Sequence, residues 1–287
     1  MPDNYALFGP AGNSDSFTAS HKSSVEAPGW LYDLGLDVYE YQCGKGVRIK
    51  DETAEELGGE ARKHGIKLSL HAPYFISLSN PNNLEKNIEY VLQSCNAAKH
   101  MGADRIVVHS GSVGGMGRSG ALENTIGAMR IILDETERSG YGEIMLCPET
   151  MGKINQLGTY EEVLEICRVS ERLIPCIDFG HLYARTLGGF EGMEKAEELF
   201  DEMENMLGVA RASVFHSHFS KIEYTAGGEK RHLTFENTEF GPDFRPVARA
   251  LVKRGYSPRF ICESAGTQAE DALEMKHIYY EELENVL

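Results

Sequence analysis

Short apolar runs alternate with longer amphipathic stretches along most of this chain. The first run lies over 5–9, a helical stretch follows over 20–34, and GLDVYEYQ then alternates with period two, which predicts a strand over 36–41. A helix over 51–64 and a strand over 66–71 form the next pair. Asn80, Pro81 and Asn82 supply a turn and cap, after which Leu84, Ile88, Val91, Leu92, Cys95 and Ala98 recur at helical spacing until Gly102 stops the helix. The same rhythm predicts strands over 105–109, 144–147, 174–177, 212–215 and 260–262. Helices are predicted over 121–139, from 159, and over 193–207, 244–254 and 270–283.

Eight strands alternating with eight helices read as a parallel sheet with crossover helices. The count and the 287-residue length fit an α/β protein, a single (β/α)8 TIM barrel occupying residues 1–287 as one domain. A doubly wound open sheet lacks its fingerprint here, because no GxGxxG follows the first strand. Two loops break the rhythm, the glycine-rich 111–120 and the long 225–243. Both follow strands bounded by histidine, on the face where barrels carry function.

Composition narrows the classes. Hydrophobic residues make up 41% of the chain, enough for a sizeable core. Lys and Arg number 28 against 44 Asp and Glu, a net charge of -16, which argues against a broadly basic nucleic-acid surface. Bound divalent ions would cancel several of those charges where a phosphate approaches. The six cysteines are scattered without a CxxC pair, the N-terminus lacks a signal pattern, and no stretch approaches the ~18 apolar residues of a membrane span. A reduced cytoplasmic protein, a monomer with no membrane partner, is the expectation.

The predicted strand ends carry the chemistry. His71, His109, Glu149, Asp178, His216 and Glu263 each follow an apolar run, and a parallel barrel gathers such positions around one mouth. Histidines ending adjacent parallel strands lie about 5 Å apart, close enough to share an ion. Glu149 and Glu263 would be buried charges, a cost that metal coordination offsets. IDFGH adds His181 in the loop above Asp178. HSH offers His216, which ends the apolar run, with His218 two residues on as an alternate. The loop residue His232 sits beside Lys230 and Arg231, and with Lys221 these make the segment locally basic, suited to phosphate contact. His21, His64, His100 and His277 fall on predicted helices away from the mouth.

Oxygen and imidazole donors without thiolates suit zinc, with manganese or iron(II) as alternatives. One ion takes three or four donors and at least seven are available, so two or three ions are expected, with Glu149 bridging. Paired ions about 3.5–4 Å apart clamp both oxygens of a phosphate displacement, which makes phosphoester hydrolysis the natural chemistry and Glu149 and Glu263 its catalytic carboxylates.

HAPYFISL at 71–78, VVHSGS at 107–112, PET at 148–150, DFGH at 178–181, HSHFSK at 216–221, RH at 231–232 and ES at 263–264 together resemble the motifs of the endonuclease IV family of apurinic/apyrimidinic endonucleases. The resemblance runs in order from about residue 66 to 264. It implies a (β/α)8 barrel with a trinuclear zinc centre that hydrolyses the DNA backbone 5′ of an abasic site. By the same likeness His71 and His109 hold one zinc, Glu149 bridges to a second held by Asp178, His216 and Glu263, and His181 with His232 holds a third. Tyr74 would insert into the DNA at the gap. The chain departs from the pattern where the family places an aspartate two residues before the loop histidine: that place is Lys230, with Glu229 one residue earlier as the candidate replacement. The family's intercalating arginine after the second strand has only Lys45 and Arg48 as neighbours.

Two other readings stand beside this one. A sugar isomerase or epimerase of the xylose-isomerase-like barrel type would use Glu149, Asp178, His216 and Glu263 around a single metal, and it gives no joint role to His71, His109, His181 and His232. A non-catalytic metal-binding barrel would be expected to have lost ligands, whereas only Lys230 looks like a loss.

Overall fold

Residues 5–286 are described by a computed structural model, in which eight parallel strands form a closed ring. They are β1 (Leu7–Pro10), β2 (Val38–Gln42), β3 (Lys67–His71), β4 (Arg105–Val108), β5 (Met145–Pro148), β6 (Cys176–Asp178), β7 (His216–Phe219) and, after a hairpin of β8 (Lys221–Thr225) and β9 (Gly228–Leu233), β10 (Arg259–Cys262). Hydrogen bonding runs β2-β3-β4-β5 in one half and β1-β10-β7-β6 in the other. Parallel bridges Ala11–Glu40 and Glu149–Cys176 join the halves at both seams. At the first seam the backbones come so close that a Cβ on Gly9 would lie 1.8 Å from the Val38 carbonyl oxygen, so glycine is required there.

The helices are α1 (Asp15–Ser20), α2 (Ala27–Leu34), α3 (Asp51–His64), α4 (Leu84–Met101), α5 (Gly117–Arg138), α6 (Tyr160–Cys167), α7 (Phe179–Arg185), α8 (Gly192–Leu207), α9 (Val209–Ala212), α10 (Phe244–Arg254) and α11 (Gln268–Glu284). Their ends follow local chemistry. Gly102 ends α4 in the left-handed conformation, and Thr159 with Glu162 forms a reciprocal capping box on α6. The helix expected over 20–34 begins only at Ala27, because Pro28 has no N–H to donate and is tolerated only in a first turn. Among the described residues no helix is long and apolar enough to cross a membrane.

The strand expected over 212–215 is displaced. Val209–Ala212 is a helical turn and β7 begins at His216, where pairing with β6 and β10 sets the register His216–Cys176 and His216–Arg259. The apolar run ASVF is therefore the approach to the strand, and the strand itself is HSHF.

Period-two alternation sorts each strand into outward and inward residues. Outward aromatics pack beneath the helices, with Phe8 stacked on Phe260 at 5.7 Å and Phe244 edge-on to both Phe260 and Phe219. Inward, Leu7, Val38 and Ile261 with Ala11 make a small separate apolar plug. The rest of the interior is polar for a barrel: Glu40, Ser69, Cys176 and His216 are all buried. Below them Arg259 pairs with Asp104, and Arg105 donates to the Phe215 carbonyl, closing the amino-terminal end of the ring.

Candidate metal centre

The carboxyl ends of the strands bring nine donors together. His71 ends β3, Asp178 ends β6, and His109, Glu149 and Glu263 each stand one residue beyond β4, β5 and β10. His181 lies in the first turn of α7, whose N-terminus is capped by Asp178 Oδ1 accepting from the His181 backbone N–H at 2.7 Å. His218 is the second inward residue of β7, and Glu229 and His232 come from β9. Seven of them line a cavity of about 440 Å³ together with Tyr74, Met151, Lys153 and Gln156, and Asp178 and His218 lie fully buried behind it.

Glu149 is the hub. Its Oε2 lies 2.9 Å from His109 Nε2 and 3.4 Å from His71 Nε2, and its Oε1 lies 3.0 Å from His218 Nδ1 and 3.5 Å from His181 Nδ1. Around it, His181 Nδ1 is 3.2 Å from Asp178 Oδ2 and its Nε2 is 3.5 Å from Glu229 Oε2. Glu263 reaches His218 Nδ1 at 3.5 Å and His232 Nδ1 at 3.9 Å. The rings of His71 and His109 sit 5.1 Å apart, as neighbouring strand ends require.

Acceptors behind the imidazoles orient them. His71 Nδ1 donates to the Ala72 carbonyl at 2.7 Å and His181 Nδ1 to the Thr150 carbonyl at 2.9 Å. A carbonyl only accepts, so in the neutral ring the proton stays on Nδ1 and the Nε2 lone pair faces the cavity. His232 Nδ1 is held by Ser220 Oγ at 2.8 Å.

The electrostatics reflect crowded carboxylates. Burial opposes ionisation of Glu149, yet His218, His109 and His71 hold its carboxyl well below the usual range. Burial, together with repulsion from Glu263 and Glu149, outweighs the attraction of His181 and pushes Asp178 up to about 6. His181 is raised to about 9, because Asp178, Glu229, Glu149 and Glu263 overcome its desolvation. His218 is likewise raised against burial, by Cys176, Glu263, Glu40 and Glu149.

The donors fit divalent ions. Glu149 Oε2 and Asp178 Oδ2 are buried without a hydrogen-bond partner, although Glu149 Oε2 stands 2.9 Å from an imidazole nitrogen. Buried donors left without a hydrogen bond this close to one another have lone pairs that a shared cation would satisfy. Four overlapping groups of donors lie within reach of single ions: His71, Glu149 and His218; Glu149, Asp178, His218 and Glu263; His181, His232 and Glu263; and, one pleat deeper, Cys176, His216 and His218.

Some expected positions fall elsewhere. His216 is buried one pleat below the cavity with its Nε2 bonded to Glu40, and His218 takes the place at the carboxylates that the reading of the apolar run assigned to His216. The ammonium of Lys221 donates to the Phe235 and Asn237 carbonyls, which ties down the loop. Arg231 and Lys230 both pair with Glu223 on the outer side of the hairpin, and none of these cations lines the cavity. Glu229 does. The reading of strand ends missed Glu40, in mid-strand, and Lys153, the cation at the cavity rim in the GKINQ loop after PET.

The family described as xylose isomerase-like TIM barrel matches residues 29–282. A protein of Methanocaldococcus jannaschii described as uncharacterized is 31% identical over 94% of this chain and 96% of its own length. A probable endonuclease 4 of Staphylococcus carnosus is 30% identical over 65% of this chain and 62% of that protein. Among solved structures, endonuclease IV from Thermus thermophilus superposes with a TM-score of 0.67 at 18% identity, covering 98% of this chain and 99% of that one. A D-tagatose 3-epimerase-like protein does so with a TM-score of 0.66 at 23% identity, covering 88% and 90%. With the closed ring of strands and the match over most of its length, this chain belongs to the xylose isomerase-like TIM barrel family.

Proposed function

We propose that the protein is a metal-dependent phosphodiesterase of the endonuclease IV kind, holding two or three zinc ions and hydrolysing the DNA backbone 5′ to abasic sites. The observation that carries this reading is the surplus of donors. Asp178, His218, Glu149 and Glu263 suffice for one ion, and His71, His109, His181, Glu229 and His232 would have no task beside a single metal. That surplus favours the hydrolase over a single-metal isomerase or epimerase on the same barrel.

His71 and His109 would hold one ion with Glu149, Glu149 with Asp178, His218 and Glu263 a second, and His181, His232 and Glu229 a third. Divalent ions in such a site supply Lewis acidity toward a phosphoryl oxygen and toward water. Glu149 orients the first two groups of donors relative to each other. Glu263 borders the cavity with its side chain 14% exposed and is placed to hold the proton of the attacking water. Lys153 lies where a phosphate entering the cavity needs a counter-charge, in a chain of net charge -16.

Nucleic acid also needs surfaces for bases. Tyr74, Phe75, Met116 and Ile154 are among the exposed large apolar side chains, and they stand on the loops that follow β3, β4 and β5. Tyr74 lies nearly parallel to His109 at 5.6 Å, which presents its ring at the cavity mouth. The test is incision of a duplex carrying one abasic analogue. Chelator-sensitive cleavage on its 5′ side is expected, and intact DNA under saturating zinc or manganese would overturn the assignment.

A further inference from the structure

We infer that Glu40 is the positioning residue of the centre: it sits behind His218 and turns that ring so that Nδ1 faces the metal-binding cavity. This rests on the metal reading above. His71 and His181 are oriented from behind by backbone carbonyls, whereas the polar group placed behind His218 is a carboxylate, 3.0 Å from its Nε2. His218 Nδ1 bonds to Glu149 Oε1 at 3.0 Å, with Glu263 at 3.5 Å, and the Glu40 carboxylate stands close behind Nε2 without a hydrogen bond to it; an ion on Nδ1 would leave the ring proton on Nε2, facing a carboxylate that only accepts.

The placement of Glu40 is itself built. Its Oε2 accepts from Ser69 Oγ on β3 and from His216 Nε2 on β7, both at 2.9 Å, and its Oε1 accepts from Gln42 Nε2 at 3.1 Å. The carboxylate thus links β2 to neighbouring β3 and, across the barrel, to β7. Carboxylate and both histidines of β7 are fully buried, so an unpaired charge here would be costly, and three hydrogen-bond partners together with the nearby His218 ring offset that cost. His216 takes its role from this arrangement: it braces Glu40, which in turn orients His218. A full negative charge one pleat beneath the donors also adds to the pull on any cation above it.

The experiment compares wild type with Glu40→Gln and Ser69→Ala. Two quantities are read: zinc affinity by chelator competition, and the ring Nε2–H signal of His218 in the metal-free protein, assigned by its loss in His218→Asn. Glu40→Gln keeps the shape and removes the charge. It is expected to weaken zinc by about 10–100-fold and to move the Nε2–H signal upfield as the charge-assisted contact is lost. Ser69→Ala, which removes one brace, shifts both in the same direction by less and decides the matter if Glu40→Gln does not fold. Unchanged zinc affinity with an unmoved signal overturns the proposal, as does a loss of thermal stability that leaves both unchanged. Failure of the wild type to bind zinc would sink the metal reading instead, leaving the Nε2–H signal to judge Glu40 by itself.

Discussion

Glu229 and His232 face the same cavity although they stand three positions apart on one strand, their nearest carboxylate and imidazole atoms 3.9 Å apart. Strict alternation would send them to opposite faces. In the pairing of β8 with β9, Tyr224 opposes Glu229 and Glu223 opposes Arg231, so Lys230 is the extra residue of a bulge. The bulge flips the alternation and returns Glu229 to the inward face. Glu229 thereby lines the cavity although Lys230 holds the position two residues before His232, and Lys230 is released outward to Glu223.

If Glu229 serves in the proposed third site, removing its charge costs one ion. Glu229→Gln should bind one ion fewer per chain than wild type, whereas Lys230→Ala should bind the full complement. Equal metal content in wild type and Glu229→Gln would place Glu229 outside the centre.

Glu149→Gln tests the hub. Four imidazoles lie within 3.5 Å of this carboxylate, so the amide should lose both cleavage and at least one ion, while circular dichroism of the metal-free protein stays native. Near-normal turnover would remove Glu149 from the bridging role.

Metal binding should strengthen with pH. His181, raised to about 9 by the surrounding acids, carries a proton near neutrality that an ion must displace. Affinity is expected to rise from pH 7 toward 9, by about tenfold per unit for each proton released. The metal-free fold runs the other way. The His181 contribution to stability is full below its ordinary value of 6.5 and is lost as pH rises through about 9. Calorimetric zinc titrations at pH 7.0 and 8.5 that gave the same affinity would contradict this.

Lys153→Ala removes the cation at the cavity rim. A hydrogen bond to a charged group contributes about 1.5–3 kcal/mol, so KM for a phosphodiester should rise about tenfold or more with kcat little changed. A fall in kcat at constant KM would assign Lys153 to the chemical step.

The barrel and most of its mouth were legible because each strand ends in an apolar run, and polar residues directly after such runs fall on one rim. His71, His109, Glu149, Asp178 and Glu263 could be placed on the rim that way. The rule misplaced the donor on β7, since ASVF is outside the strand and the inward residues of HSHF are histidines packed against polar neighbours. Glu40 escaped for the same reason: a carboxylate in an alternating strand reads as solvent-facing, and only the closed ring turns that face inward. The bulge at Lys230 also has no local signal, because it arises from the pairing of two strands.

The number of ions that the donors hold decides between a multi-ion centre and a single-metal barrel. Elemental analysis of protein loaded with zinc and then freed of excess measures it directly: two or three ions per chain are expected, and one ion or none would contradict the multi-ion centre and the hydrolysis built on it.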